Sequence, residues 1–527
     1  MRYKSGLFLA SLLLGFAVVL FATLFLRADG ELFQRVEPRV WSLLNFTLYQ
    51  AFLSTIISLF VGTLLAWSLA HQKRFFGRFF LVAVFSSSLV LPSLVVVFGI
   101  ISIYGRSGVI NNSLEYLFGF SFGSFVYGLG GILLAHVYLN ASYASRSLLH
   151  AFESIPIEKY KLSKSLGFST WKRFVYVEFA YIKGVLLTVG STIFLLCFSS
   201  FAIVLLLGGS PVYNTLEVAI YEAVKLEFDI PLAIELALIQ LVVSSVFVIG
   251  SSNFKMPINS IKISKFQLPW QEPKAVKFVQ VVVIILFSLF FLTPLLATFF
   301  DGLGADFKKI FSDVYFQKSF YTSMALSFVS TVLTLIFALA LSDARVKLVQ
   351  SDRTILNTLV SFSGNLYLAI PSLILGLGFF LLSLRFEVSE FFWTTLALLT
   401  ANVLISLPFA LSVLTPQMQK VSNRYDKLAR SLNLSSRQRW VSYEYPFLSP
   451  SLGYIAALSF CFSMGDLGII ALFGSDSYTT LPWYLYQLMG SYRTADAAGV
   501  ALILLVLTLV AFVMLPKVFG RDDVRDS

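Results

Sequence analysis

Charge is scarce in this chain of 527 residues. Only 13% of the residues are Asp, Glu, Lys or Arg, about half of the roughly 25% usual in soluble globular proteins. So little charge cannot coat a globule of this size, and a water-soluble domain is excluded. Cysteine is limited to Cys197 and Cys461, both inside apolar runs, which leaves no disulfide framework and no thiolate metal spacing. The three histidines, His71, His136 and His150, stand apart from acids in the sequence, and this disfavours a membrane enzyme working through clustered His and carboxylates. No G-x-x-x-x-G-K-[ST] phosphate loop occurs, so ATP hydrolysis would have to come from a partner. Nothing in the sequence calls for a cofactor.

What remains is apolar: 57% of residues are hydrophobic and the mean hydropathy is +0.82. The apolar residues fall into twelve runs, about 7–26, 45–70, 79–104, 125–141, 184–208, 231–250, 277–300, 319–341, 359–384, 392–415, 449–473 and 498–516. Runs of about 20 residues cross roughly 30 Å of hydrocarbon as helices, whereas a barrel would show alternating segments of about ten. The sequence therefore predicts an all-α polytopic membrane protein with about twelve spans. The first run is longer than a signal-peptide core and reaches Arg27 without a small-x-small cleavage site, so it reads as an uncleaved span.

Orientation follows from the loops. With the N-terminus cytoplasmic, the inner segments hold 29 of the 39 Lys and Arg residues, as expected when positive charge stays inside. Both termini are then cytoplasmic. The net charge of +11 reflects this topology and contact with anionic lipid, and nucleic acid is not an expected partner.

The chain is written twice. KLSKSLGFSTWKRFVYVEFA (161–180) aligns without a gap to KLARSLNLSSRQRWVSYEYP (427–446), CFSSFA (197–202) to CFSMGD (461–466), and TLEVAIY (215–221) to TLPWYLY (480–486). Earlier, LPSLVVVFG (91–99) answers IPSLILGLG (370–378). Shared composition could make apolar runs look alike, but not a repeated Lys/Arg/Glu pattern. Residues 1–250 and 277–527 read as parallel six-helix repeats, since an even number of spans returns each to the cytoplasm. They are joined by a basic, proline-containing linker at 251–276.

The two long cytoplasmic loops mix Leu at helical spacing with Lys and Arg, the pattern of short amphipathic helices. Headgroup anchoring is the plain alternative, and duplication in register argues against it. Here the chain resembles the permease subunits of binding-protein-dependent ABC importers, whose cytoplasmic motif is Glu-Ala-Ala-x3-Gly-x9-Ile-x-Leu-Pro. The spacing recurs twice, with Lys161 and Lys427 in place of the motif's Glu, Asn433 in place of its Gly in the second copy, and Ala180 in place of its Pro in the first. The resemblance implies that Lys161, Leu162, Lys164, Leu166 and Gly167, with Lys427, Leu428, Arg430, Leu432 and Asn433, form coupling helices. Their partners would be two ABC ATPase subunits on the cytoplasmic face and a periplasmic substrate-binding protein outside. Asn tolerates the left-handed helix end almost as well as Gly, so Asn433 is expected to fill the backbone role of Gly167. Over nearly the whole chain, LCFSSFAIVLLLGG (196–209) and GDLGIIALFG (465–474) with TLPWYLYQLMGSYR (480–493) are similar to the fused thiamine (thiamine pyrophosphate) importer permeases of the bacterial inner membrane. Fused iron(III) importer permeases come next.

Two acids, Glu235 and Asp466, fall inside predicted spans. An intramembrane carboxylate is costly and usually faces a path or a partner. Asp466, between Gly465 and Gly468, marks a candidate translocation path that could draw a cationic cargo, set against a purely structural hydrogen bond. Glu235 reads as snorkelling to the outer surface. Trp41, Trp270, Trp393 and Trp483 read as interfacial belts, with Trp483, Tyr484 and Tyr486 as further candidates to meet cargo or carrier. The rival from another class, a proton- or sodium-coupled secondary transporter, predicts more intramembrane acids and leaves the duplicated loops unexplained.

Overall fold

The computed structural model describes residues 3–27, 38–121, 123–209, 211–252, 272–384, 389–475 and 478–520. Most of the linker at 251–276, including Trp270, lies outside them. The described residues form helices joined by turns, with no strand among them.

The first repeat runs α1 (Lys4–Arg27), α2 (Pro38–His71), α3 (Arg78–Ser86), α4 (Ser93–Tyr104), α5 (Val109–Phe118) and α6 (Leu129–Glu153). It continues with α7 (Ile157–Ser165), α8 (Thr170–Arg173), α9 (Phe179–Phe198), α10 (Ala202–Leu207), α11 (Leu216–Lys225) and α12 (Ile230–Ser252). The second opens with α13 (Lys274–Leu303), α14 (Phe307–Ser312), α15 (Val314–Gln350), α16 (Thr354–Asn365), α17 (Ser372–Ser383) and α18 (Glu390–Ser431). It ends with α19 (Ser436–Arg439), α20 (Tyr445–Gly465), α21 (Gly468–Phe473), α22 (Leu481–Gly490) and α23 (Thr494–Phe519). Among the described residues ten helical segments are long and apolar enough to cross a membrane, and the bent pair α16–α17 makes eleven. The fourth expected run became α6, long enough to cross but carrying buried His136, Asn140, Ser142 and Ser145.

Several spans break, and the sequence says why. Pro92 and Pro371 precede α4 and α17 with extended ψ of 129° and 150°. Proline has no N–H to continue the preceding helix, and its ring clashes with the carbonyl four residues back. The α16–α17 pair bends by 93° at this point.

The halves hold each other through crossed arms. The first helix of each repeat packs on the other repeat: α1 against α15, α16 and α17, and α13 against α2 and α4. Equivalent glycines receive them. A Cβ on Gly99 would lie 2.4 Å from the Pro294 carbonyl oxygen on α13, and one on Gly378 would lie 2.6 Å from Leu20 Cγ on α1. Neither approach leaves room for a side chain, which accounts for the shared glycine in the two Pro-Ser motifs. Tyr138 and Tyr367 complete the join, donating hydroxyls to the Phe291 and Leu13 carbonyls at 2.8 and 2.7 Å.

Candidate functional site

The two duplicated basic loops, 161–180 and 427–446, are built alike. In each, the Leu-rich helix ends in a left-handed residue, Gly167 at φ +66° and Asn433 at φ +53°. The next amide then reaches back five residues to close the turn: Phe168 N–H to the Ser163 carbonyl and Leu434 N–H to that of Ala429, both at 3.0 Å. The following short helix is capped by Ser169 and Ser435, whose hydroxyls accept from the Lys172 and Gln438 amides at 3.4 Å. A π-helical turn follows in both, over 174–178 and 440–444.

The same leucines stand out from each loop. Leu162 and Leu166 are 53% and 60% exposed, and Leu428 and Leu432 are 55% and 60% exposed. Tyr160 and Ser163 on α7, and Ala429 on α18, are the buried members. Lys161, Lys164, Lys427 and Arg430 surround the exposed leucines at the surface. An apolar stripe rimmed by cations and presented twice is a contact surface left open.

The first loop is fastened from beneath by an ion cluster whose extent the sequence did not reveal. Arg173 donates Nε to Glu178 Oε1 at 3.0 Å and its Nη2 to Glu272 Oε1. His71 Nε2 lies 3.1 Å from Glu178 Oε1 and 3.5 Å from Glu272 Oε1. Trp67 Nε1 donates to Glu178 Oε2 at 3.1 Å. The Arg173 and Glu178 side chains are wholly enclosed, and Glu272 is 7% exposed. Contrary to expectation, His71 therefore does meet acids. The arrangement is a structural clasp, joining the end of α2, the first loop and the short segment that leads into α13.

Within the membrane the broken spans converge. The backbone leaves α20 at Gly465 and re-enters a helix at Gly468, with Asp466 between. Asp466 Oδ1 accepts the Gly468 amide at 3.2 Å, while Oδ2 is enclosed without a partner. A Cβ on Gly465 would lie 3.2 Å from Pro92 of the first repeat, and one on Gly468 would lie 2.6 Å from Ser372 Oγ. The break at Asp466 thus sits against the proline breaks of both repeats.

Beside it lie α11 and α22, ten residues each and too short to span. Each is pinned at its first amide: Leu216 N–H to Thr47 Oγ1 at 3.0 Å, and Leu481 N–H to Ser323 Oγ at 2.8 Å. Tyr221 and Tyr486 hold the same position in the two repeats, with their hydroxyls near enough to act on each other.

Other readings change. Trp483 is buried and stacks on Tyr486 with ring centroids 5.4 Å apart, so it is no interfacial belt. Trp393 is half-buried and donates to the Phe379 carbonyl at 2.9 Å, while Trp41 is exposed as expected. Tyr484 donates to Asp313 at 2.8 Å. Glu235 is half-buried with Oε1 enclosed rather than reaching to the surface. Cys197 and Cys461 are free and buried. A cavity of about 390 Å³ opens among Arg345, Asn357, Asn365 and Thr415, and its lining includes neither Asp466 nor the loop residues.

Residues 348–517 match the family described as "Binding-protein-dependent transport system inner membrane component". Over its length the chain is similar to proteins named "Thiamine transport system permease protein ThiP". It is 35% identical to that of Salmonella typhimurium over 99% of this chain and 97% of the relative. To that of Escherichia coli K12 it is 35% identical over 93% and 91%, and to that of Haemophilus influenzae 34% over 99% and 97%. With ten or eleven membrane-crossing helical segments among the described residues, two matched loops and relatives aligned nearly end to end, the chain belongs to the ThiP family of inner-membrane permeases of binding-protein-dependent transport.

Proposed function

We propose that this chain is the channel-forming subunit of an ATP-driven importer that takes thiamine, or thiamine phosphates, from a periplasmic binding protein to the cytoplasm. The cargo rests on the full-length relatives, which are named as thiamine transport permeases, and this sets iron(III) aside. The observation that carries the mechanism is the pair of exposed leucine faces on identical loop scaffolds. Each seats one ATPase subunit. Closing of the ATPase pair draws the two loops together and rocks residues 1–250 against 277–527, joined by the linker at 251–276. Asp466, Gly465 and Gly468 line the path between the halves, and both termini face the cytoplasm.

Proteoliposomes holding this permease with its ATPase and binding protein should accumulate labelled thiamine only with ATP. Uptake of iron(III) but not thiamine would refute the cargo. Single cysteines at Ser169 and Ser435 should resist impermeant thiol reagents in intact cells, and one at Asn112 should react; the reverse would overturn the orientation.

A further inference from the structure

Glu217 reads in the sequence as one of several acids in an outer loop. The structure instead buries it completely on α11, a helix with Leu216, Val218, Ala219, Ile220 and Tyr221 also buried. Gln240 of α12, equally buried, donates Nε2 to Glu217 Oε1 at 3.0 Å. Glu217 Oε2 and Gln240 Oε1 are enclosed without a partner. Across the interface between repeats, α11 packs on α21 and α17, and the Asp466 carboxylate is near enough to act electrostatically on Glu217. Three enclosed oxygens, Glu217 Oε2, Gln240 Oε1 and Asp466 Oδ2, thus have no donor. Neither acid has a basic partner among the described residues.

Both acids depart from the internal repeat. In register, the second repeat has Pro482 where the first has Glu217, and the first has Ala202 where the second has Asp466. A carboxylate that merely held the shared scaffold together would be needed in both copies. Here each half supplies one, Glu217 on α11 and Asp466 just before α21, and these two helices pack together between the repeats.

We propose that Glu217, Asp466 and the Gln240 carboxamide oxygen form a seat for one organic cation between the two halves, so that the permease itself favours a positively charged cargo. Unpaired carboxylates away from water are strongly unfavourable, and a cation between them removes that cost. An organic cation fits better than a metal ion. Among the described residues no three His, Cys, Asp or Glu side chains gather to hold a metal. One turn from Glu217, Tyr221 packs edge-on against Phe201 at 5.4 Å, giving aromatic surface of the kind that attracts organic cations. This deepens the importer reading, on which it rests.

The test uses the whole transporter in proteoliposomes and reads labelled thiamine accumulated per ATP hydrolysed. Glu217→Gln keeps the size and the hydrogen bond from Gln240 while removing the charge. It should lower this ratio about tenfold, the effect of one partly screened charge pair. Glu217→Asp should recover much of the loss, and Glu115→Gln, an exposed carboxylate on α5, should transport as the parent protein does. A normal ratio in Glu217→Gln overturns the seat and leaves the pair holding only a shared proton. If Glu217→Gln does not fold, Glu217→Asp decides: folded protein with the ratio lost also overturns it. Failure of the unsubstituted transporter to accumulate thiamine would instead refute the cargo, a separate result from either.

Discussion

The two duplicated loops present one exposed leucine face on two different supports. In the first repeat, Pro156 interrupts the chain after α6, so α7 is a separate nine-residue helix. The register-equivalent residue in the second repeat is Ser422, and α18 there runs unbroken for 42 residues from the membrane into the loop. A detached helix needs fastening, and the Arg173–Glu178–His71–Glu272 clasp supplies it. A continuous rod needs less. Arg439, equivalent to Arg173, only donates Nε to the Leu434 carbonyl at 3.1 Å, while Asp426 accepts from Ser422 and Tyr443 at 2.5 and 3.2 Å. The face exposed to a partner is thus duplicated closely, while its foundations have diverged.

That contrast is broken most severely at Arg173. Its removal leaves Glu178 and Glu272 enclosed together, and breaking a buried pair in this way costs about 3–5 kcal/mol. Arg173→Ala should therefore lower the melting temperature in detergent sharply, and Arg439→Ala, losing one hydrogen bond of about 1 kcal/mol, only slightly. Equal shifts would show that the two loops are supported alike.

At the docking faces the halves should instead behave alike. Leu166→Asp and Leu432→Asp each withdraw a leucine whose burial contributes about 1.5–3 kcal/mol and place a carboxylate in its stead. Each should weaken retention of the ATPase on the affinity-purified permease at least tenfold, by a similar factor, without loss of membrane insertion. A large effect at one loop and none at the other would leave only one of them as a docking site.

The smallest difference lies at the helix ends. Gly167→Ala places a Cβ at φ +66° and should destabilise by about 1 kcal/mol. Asn433→Gly should change thermal stability by only a few tenths, because Asn already tolerates that conformation. A large loss from Asn433→Gly would mean that the Asn side chain is doing something its backbone position does not require.

Much of this was legible in the sequence because it lives in local pattern. Apolar runs gave the spans, the gapless Lys/Arg/Glu match gave the paired loops, and the expectation that Asn433 would stand in for Gly167 holds in its backbone angle. The proline breaks at Pro92 and Pro371 were visible as a repeated motif but not as a meeting point, since that depends on packing between halves. The clasp was hidden for the same reason: His71, Arg173 and Glu272 are about a hundred residues apart. Glu217 was misplaced because an acid beside an outer loop reads as solvated. The available signal was its setting, a lone carboxylate inside TLEVAIY where the other repeat has proline.

The account turns on one permease chain offering two equivalent seats to ATPase subunits. Native mass measurement of the detergent-purified complex tests this directly. One permease with two ATPase copies is predicted, falling to one copy when either Leu166→Asp or Leu432→Asp is introduced. A parent complex carrying a single ATPase copy, or two copies that survive the double substitution, would contradict it.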